Sequence, residues 1–331
     1  MESDCRKSLA QARRVVVKVG SQLLAQPDGM PDEDQVRRFA EEISRIVDQG
    51  KELVLVSSGA IAYGRQAMGW DQPRSVAESQ MLASVGQALL IEAHRRALSE
   101  YGLSIGQVLL THRDISHRGS YLNASTTLRT LLANRVVPVI NENDAVGHEE
   151  IRFGDNDMLA ALVAVMVEAD ALILLTQPDG LYDADPSISP DAKRVTQISA
   201  DHEVASGFNL ETKSDLGTGG MASKLEAARV AGKGGVPVVI ASGREQVPIR
   251  RVLDGSDVGT LVTPARERIV RKRHWVRYGL KEKGSLILDA GAAQAVQGQG
   301  ASVLPVGIVS VTGSFQRGDA VSILSEQGEK L

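Results

Sequence analysis

Short, almost unbroken runs of apolar residues recur along most of this chain, and they constrain its fold more than any other feature. Each run is rich in valine, isoleucine or leucine and does not alternate with polar residues, which is typical of parallel strands covered on both faces. Stretches with apolar residues at helical spacing lie between these runs. The alternation predicts an α/β fold, a three-layer αβα sandwich with a mostly parallel sheet. The predicted strands are 15–19, 53–56, 105–110, 136–140, 171–175 and 236–240, and the predicted helices are 34–48, 75–101, 120–133, 156–167 and 222–232.

The chain changes character near residue 265, and its 331 residues are enough for two domains. We expect a catalytic domain over residues 1–265. Residues 266–283 carry eight Lys/Arg and two Glu, which is typical of an exposed basic linker. Short predicted strands at 285–288, 307–311 and 320–323 then indicate a small β-rich domain over 272–331.

Composition excludes several classes of protein. The formal net charge of -4 gives no general attraction to nucleic acid or to anionic membranes. Cys5 is the single cysteine, so no intrachain disulfide can form. The first 14 residues are charged and lack the apolar region of a secretory signal, and the longest apolar run, 158–167, is too short to span a bilayer. A cytoplasmic location is therefore expected.

The segments that follow the predicted strands are small, polar or glycine-rich. They are 20–21, 57–60, 141–144 and 176–180. Ligands of open α/β sheets bind outside the carboxyl ends of the strands, so these segments are the first place to look for a site.

Two segments have the composition of a phosphate site. Lys18 comes two residues before Gly20 at a predicted strand end, where an ammonium and backbone N–H groups can face the same anion. The segment 217–224, GTGGMASK, opens a predicted helix whose N-terminus favours anions, and Lys224 there opposes the helix dipole. It is neither a Walker A loop nor a dinucleotide fingerprint. A solvated lysine and a flexible surface loop are the alternatives from these residues alone.

A third segment concentrates Asp and Asn side chains between a strand end and a helix start. INEND at 140–144 is followed by GDND at 154–157. Such density suits an ammonium, a carboxylate or Mg²⁺. Asx-turns and an N-cap at Asp155 are the structural alternative, and both roles are compatible.

Taken together, five motifs resemble the glutamate 5-kinase branch of the amino-acid kinase family, in the family's order over about residues 13–262. They are VVVKVGSQLL, VSSGAIAYGR, VPVINENDAV, FGDNDMLAALVA and GTGGMASKLEAA. The resemblance implies ATP and Mg²⁺, L-glutamate as the phosphoryl acceptor, a homo-oligomer and feedback inhibition by proline. The product would be γ-glutamyl phosphate, the first intermediate of proline biosynthesis, consumed by a separate reductase.

The resemblance also assigns residues by position. Lys18, Lys224 and Asp157 would be catalytic, with Asp157 organising the two lysines. Ser58, Asp144 and Asn156 would bind glutamate. ATP would contact Lys18, Gly20, Thr176, Gln177, Thr218, Gly219, Gly220, Met221, Ala222, Ser223 and Lys224, and no metal ligand is assigned. Gln177 departs from the family, which usually has aspartate there, so nucleotide affinity or base preference is the property in doubt.

The tail resembles a PUA domain through RHWVRYGLKEKGSLILDAGA and GIVSVTGSFQRGDAVSI. It stops at Leu331, before such a domain normally finishes, so we expect an incomplete domain. PUA domains in other proteins often bind RNA, but here the basic residues cluster in the linker, which favours a structural appendage.

The expected chemistry needs no general base, because a glutamate side chain with a pKa near ~4.3 is already ionised at pH 7. None of the six histidines falls in a candidate catalytic motif. Two other functions stay open: an amino-acid kinase acting on N-acetylglutamate or aspartate, and an RNA-binding regulator acting through the tail.

Overall fold

The protein is described by a computed structural model that covers residues 2–26, 28–146, 156–184, 186, 188–189, 191–202, 220–280, 282–299, 302–316 and 319–331. Its contacts divide the chain into two compact units, Met1–His274 and Trp275–Leu331. The division falls inside the basic stretch 266–283.

A mixed sheet forms the centre of the first unit. Among the described residues it has eight strands in the order β3-β4-β2-β1-β5-β7-β8-β6. The six strands from β3 to β7 in this order pair in parallel, whereas β8 runs antiparallel to β7. The predicted mostly parallel sheet is confirmed. The strands are β1 Arg14–Val19, β2 Glu52–Ser57, β3 Ser104–Leu110, β4 Val136–Glu142, β5 Ala171–Thr176, β6 Gln197–Ser199, β7 Val238–Ser242 and β8 Thr260–Thr263.

Helices cover both faces of this sheet. Val15, Val17 and Val19 of β1 belong to one core with residues of α2, α4 and α9, while the alternate positions of β1 face α7. No helix in the described part of the chain is both long enough and apolar enough to cross a membrane. The helices of this unit are α1 Glu2–Ser8, α2 Glu33–Asp48, α3 Ala60–Met68, α4 Val76–Ser99, α5 His112–Ser116, α6 Arg118–Ala133, α7 Asn156–Met166, α8 Met221–Lys233, α9 Pro248–Leu253 and α10 Arg271–His274.

A sharp turn separates β2 from α3. Gly59 is the N-cap of α3 and has φ of +114°, in the region that L side chains rarely adopt. The turn places Ser58 between the strand and the helix. Because β1 and β2 are parallel neighbours, Ser58 reaches the same sheet edge as the end of β1.

The second unit contains a small sheet and one longer helix. The strands β9 Glu282–Leu288, β10 Ile308–Gly313 and β11 Ala320–Ser325 pair in the order β10-β9-β11. The helix α11 spans Ala290–Gln299. The β-rich character predicted for the tail is confirmed.

Candidate active site

Two buried lysines and one buried aspartate meet beside the carboxyl end of β1. Nζ of Lys18 lies 2.5 Å from Oδ1 of Asp157, and Nζ of Lys224 lies 3.0 Å from Oδ2 of the same carboxylate. Asp157 is 0% exposed, Lys18 3% and Lys224 8%. Two ammonium groups against one carboxylate leave a positive local charge. Such an arrangement attracts a polyanion such as a nucleotide phosphate chain.

The local structure explains why these three side chains meet. Lys18 is the fifth residue of β1. Successive side chains of a strand point to opposite faces, so Lys18 faces α7 and not the core that contains Val17 and Val19. Asp157 is in the first turn of α7, where a carboxylate is favoured by the helix dipole. Lys224 is in the first turn of α8, where a cation is disfavoured, and the contact with Asp157 offsets this.

The N-terminus of α8 begins at a glycine. Gly220, the N-cap residue, is extended with φ of −73° and ψ of −179°, and Oγ of Ser223 donates to its carbonyl oxygen at 3.0 Å. A glycine N-cap lets other backbone or a ligand approach closely. Met221 and Ala222 open the same turn and are at least partly exposed. Thr218 and Gly219, also expected to contact ATP, lie outside the described residues.

The end of β5 and the end of β7 are joined beside this lysine cluster. The carbonyl oxygen of Thr176 accepts from the N–H of Gly243 at 2.8 Å, and that of Gln177 accepts from Oγ of Ser242 at 3.1 Å. The backbone of Gln177 is therefore fixed to β7, while the residue itself is exposed. Gly20 follows the last residue of β1, and a Cβ atom added to it would lie 3.6 Å from the carbonyl oxygen of Leu175 and 3.8 Å from Nζ of Lys18.

Asn156 connects three segments at the neighbouring strand ends. Its Nδ2 donates to Oγ of Ser58 at 2.6 Å and to Oδ1 of Asn141 at 2.9 Å, and its Oδ1 accepts from the N–H of Glu142 at 3.3 Å. Asn156 immediately precedes Asp157 in the chain. The helix start of α7 thus links the lysine cluster to the ends of β2 and β4.

A pocket of about 320 Å³ opens next to these residues. Glu142 lines it from the end of β4, Asp144 from the segment that follows, and Gln87 from α4. Ser58 and Asn156 are not part of its wall. They are connected to it through Asn141, whose Nδ2 donates to Oε1 of Gln87 at 2.8 Å. The other lining residues are Ala83, Ser84, Ala88, Gln107, Leu109, Asn143 and Ala145.

Sequence reasoning missed Gln87 and Gln107, which line the pocket, and His94, whose Nε2 lies 2.8 Å from Oγ of Ser57. It also missed the hydrogen bonds of Asn141 to Gln87 and Asn156. Asn141 stood inside the INEND motif, so a strand-end rule applied to every polar residue would have found it. Gln87 and His94 lie within a helix, and Gln107 lies inside a strand away from its end. No motif marks them, and only the hydrogen bonds of α4 with β2 and β4 and the lining of the pocket reveal them.

Comparison with known proteins gives the family. The family model described as the amino acid kinase family matches residues 13–242, and the PUA domain model matches residues 284–331. A curated relative named glutamate 5-kinase, from Chromohalobacter salexigens, is 44% identical over 100% of this chain and 87% of its own length. Others with that name are 45% identical in Thioalkalivibrio sulfidiphilus (98% and 87% covered) and 46% identical in Chromobacterium violaceum (96% and 86% covered).

A solved structure agrees with the fold. The crystal structure of UMP kinase from Bacillus anthracis matches with a TM-score of 0.55 at 21% identity, over 76% of this chain and 96% of that chain. At this identity the likeness concerns the fold alone. The family model and the curated relatives lead to one conclusion: the chain belongs to the amino acid kinase family, in the branch that contains the glutamate 5-kinases.

Proposed function

We propose that this protein transfers the γ-phosphoryl group of ATP to the γ-carboxylate of L-glutamate, giving γ-glutamyl phosphate. The observation that carries the proposal is the position of the lysine cluster, Lys18, Asp157 and Lys224, one residue from the amide network of Asn156. A polyanion site and a polar acceptor pocket therefore lie along the same sheet edge. The curated relatives that carry the name glutamate 5-kinase support glutamate as the acceptor.

Phosphoryl transfer to a carboxylate requires that the two substrates be positioned and that the charge of the phosphates be neutralised. An oxygen of the glutamate γ-carboxylate attacks the γ-phosphorus, the bond to the β–γ bridging oxygen breaks, and ADP leaves. The attacking carboxylate is ionised at neutral pH, so no side chain has to remove a proton. Negative charge accumulates on the transferring group and the leaving oxygen, where preorganised cations are most effective. Lys18 and Lys224 supply them, and Asp157 fixes the direction of both ammonium groups.

The nucleotide would lie across the ends of β1, β5 and β7 and the start of α8. Lys18 and Lys224 meet its phosphates, Gly20 and Gly220 allow the backbone to approach closely, and Ser223 and the adjoining α8 residues face the same anion. Thr176 and Gln177 would contact the nucleotide through backbone groups. The hydrogen bond from Ser242 to the carbonyl oxygen of Gln177 fixes the position of that backbone. On this basis, glutamine in place of the family's usual aspartate has little effect on binding.

Magnesium fits this site as a companion of the nucleotide. The described residues contain no cluster of three or more His, Cys, Asp or Glu side chains that could hold a metal ion. Mg²⁺ keeps several waters and is often held by substrate phosphates with one or two carboxylates, which this donor set permits. When bound, Mg²⁺ would neutralise charge on the β- and γ-phosphates.

Glutamate would be recognised at both of its ends. Asp144 lines the pocket and can pair with the α-ammonium group. The hydroxyl of Ser58 accepts from Asn156 and can still donate a hydrogen bond to a carboxylate. Proline shares the α-carboxylate and α-nitrogen of glutamate, so we also propose that it competes for this pocket in a homo-oligomeric enzyme. The acyl phosphate product is labile, and a separate reductase would consume it.

The test is ATP turnover with a panel of acceptors in the presence of hydroxylamine, which converts an acyl phosphate to a hydroxamate. L-Glutamate should give hydroxamate in step with ADP. N-Acetylglutamate should not, because acetylation removes the charge that Asp144 would pair with, and L-aspartate is too short to reach the phosphate. Comparable rates with N-acetylglutamate or aspartate would contradict the proposal. Added L-proline should raise the apparent glutamate requirement.

A further inference from the structure

His94 is a buried histidine of α4 that lies behind the proposed glutamate site. It is 3% exposed, and its Nε2 atom lies 2.8 Å from Oγ of Ser57, the last residue of β2. Burial lowers the pKa of His94 to about 4, so the ring is neutral at pH 7. A neutral imidazole has one N–H donor and one acceptor nitrogen. The ring therefore acts here as a hydrogen-bonding group without charge.

Ser57 connects this ring to the next residue along the chain. Oγ of Ser57 donates to the carbonyl oxygen of Ser58 at 3.3 Å. Its oxygen then accepts from His94, which is consistent when Nε2 of the ring carries the proton. Ser57 also pairs with Val19 in the β1–β2 register, one residue beyond Lys18. His94 thus restrains the main chain at the point where β2 turns toward the acceptor.

A second side chain of α4 holds the neighbouring strand. Gln87 lies seven residues before His94, close to two helical turns, so both project from the same face of α4. Gln87 accepts from Asn141 of β4, and Asn156 donates to both Asn141 and Ser58. The hydrogen bonds therefore close a circuit that starts on α4, passes through β2, α7 and β4, and returns to α4.

We propose that His94 is a positioning residue for the glutamate acceptor: through Ser57 it fixes the orientation in which Ser58 meets that substrate. The inference rests on the proposed function, since it takes glutamate as the acceptor. His94 does not line the pocket and lies behind Ser57, so it orients other groups without touching the reacting atoms. Lys18 is held separately by Asp157, so loss of the His94 contact should spare ATP.

The experiment compares His94→Leu, His94→Gln and Ser57→Ala with the unaltered protein. His94→Leu removes the N–H donor and fills its place with an apolar side chain, and Ser57→Ala removes the hydroxyl that accepts from His94. Each should raise the KM for glutamate by about tenfold, the scale of one lost buried hydrogen bond, and leave the KM for ATP within about twofold. His94→Gln retains an N–H donor and should restore most of the glutamate affinity. The double variant His94→Leu/Ser57→Ala should have a KM for glutamate no higher than that of the more affected single variant, because both substitutions break the same contact.

Thermal denaturation shows which variants are folded. If His94→Leu does not fold, the KM values for glutamate of Ser57→Ala and His94→Gln test the inference, because these two substitutions change the packing least. An unchanged KM for glutamate in folded Ser57→Ala would overturn the inference, as would an equal rise in the KM for ATP or additive effects in the double variant. The unaltered protein is assayed alongside: if it makes no hydroxamate from glutamate, the proposed function fails and the inference falls with it.

Discussion

At the scale of single residues, the site depends on one carboxylate held between two cations. Asp157 is completely buried, and burying a charge without partners is strongly unfavourable. Lys18 and Lys224 provide those partners within 3.0 Å. Each lysine therefore neutralises Asp157, and in the proposed mechanism each also meets the phosphate that is transferred.

Replacing either lysine should affect turnover far more than folding, because the other lysine still pairs with Asp157. Lys18→Met and Lys224→Met remove one preorganised cation each, and we expect kcat/KM to fall on the order of 10²–10³-fold, because such donors act mainly on the transition state. Steady-state kinetics with glutamate and ATP measure this. Lys233→Met is the matched control, since Lys233 lies in the last turn of the same helix as Lys224. Near-normal turnover in a folded Lys224→Met protein would remove that lysine from the mechanism.

Glu42 makes stability depend on pH. This residue of α2 is 4% exposed and accepts from the N–H of Arg250 at 2.6 Å. Burial raises its pKa from 4.5 to about 7, against the lowering effect of the N–H groups of Arg250 and Ile249. Between pH ~4.5 and about 7 the unfolded chain binds fewer protons than the folded protein. The stability that protonated Glu42 contributes is therefore fully present below pH ~4.5 and is lost as the pH rises through about 7.

Glu42→Gln keeps a neutral side chain that can accept the same hydrogen bond. At pH 5 the variant and the unaltered protein should have similar free energies of unfolding. At pH 8 the variant should be more stable, by on the order of 2–3 kcal/mol. Urea denaturation at both pH values measures the difference. Parallel pH profiles for the two proteins would show that Glu42 is not protonated in the folded state near neutrality.

At the scale of elements, α3 and α4 cross in close contact, and this crossing supports the end of β2. A Cβ atom added to Gly86 of α4 would lie 1.8 Å from the carbonyl oxygen of Ala60, and one added to Gly64 of α3 would lie 2.0 Å from that of Leu82. Both neighbours are backbone atoms, so only separation of the helices could relieve the clash. Because α3 follows Ser58 and Gly59 directly, such a separation would displace Ser58, which we propose binds the acceptor.

Gly86→Ala should therefore lower the free energy of unfolding by roughly 2 kcal/mol or more and raise the KM for glutamate. Gly298→Ala is the control, because Gly298 lies in a helix with nothing within 4 Å of the added atom. That control should be neutral or stabilising by a few tenths to ~1 kcal/mol. Chemical denaturation and kinetics provide both readouts. Equal stability of the two variants would mean that α3 and α4 do not pack as described.

The elements also show how far sequence reasoning reaches. All six residues of β5 are buried, and such unbroken apolar runs predict parallel strands from sequence. The ends of the predicted strands then indicate Lys18 and Ser58 as candidate site residues. The strand expected at 236–240 is in fact Val238–Ser242, because the N–H of Val236 donates to the carbonyl oxygen of Ala231 in α8 and Pro237 has no N–H to donate. The contacts of His94 and Gln87 depend on which strand lies under α4, and no local pattern encodes that.

At the scale of the whole molecule, every described residue assigned to ATP or glutamate lies between Lys18 and Lys224. The stretch after β8 up to His274 belongs to the first unit, however, and packs against α8. The N–H of Ile269 donates to the carbonyl oxygen of Lys233 at 2.9 Å, and Nε2 of His274 lies 2.7 Å from that of Val230. Residues 265–274 therefore stabilise α8, which carries Lys224.

A chain shortened to end after His274 should stay folded and retain turnover with unchanged KM values. Ending the chain after Ala265 should lower the thermal midpoint, because it removes the contacts of Ile269 and His274 with α8. Thermal denaturation and the hydroxamate assay on both chains measure this. If the chain ending at His274 folds but cannot phosphorylate glutamate, the second unit contributes to the site and the catalytic unit proposed here is too small.

In the proposed reaction an oxygen of the glutamate γ-carboxylate attacks phosphorus, and isotope transfer tests this step most directly. L-Glutamate labelled with ¹⁸O in the γ-carboxylate alone is incubated with ATP, Mg²⁺ and hydroxylamine. Hydroxylamine attacks the acyl carbon of the product and releases the attacking oxygen on phosphate. Mass spectrometry should then find one ¹⁸O atom in each phosphate released, dependent on Lys18 and Lys224. Phosphate without label would mean that water is the acceptor, and would contradict the account.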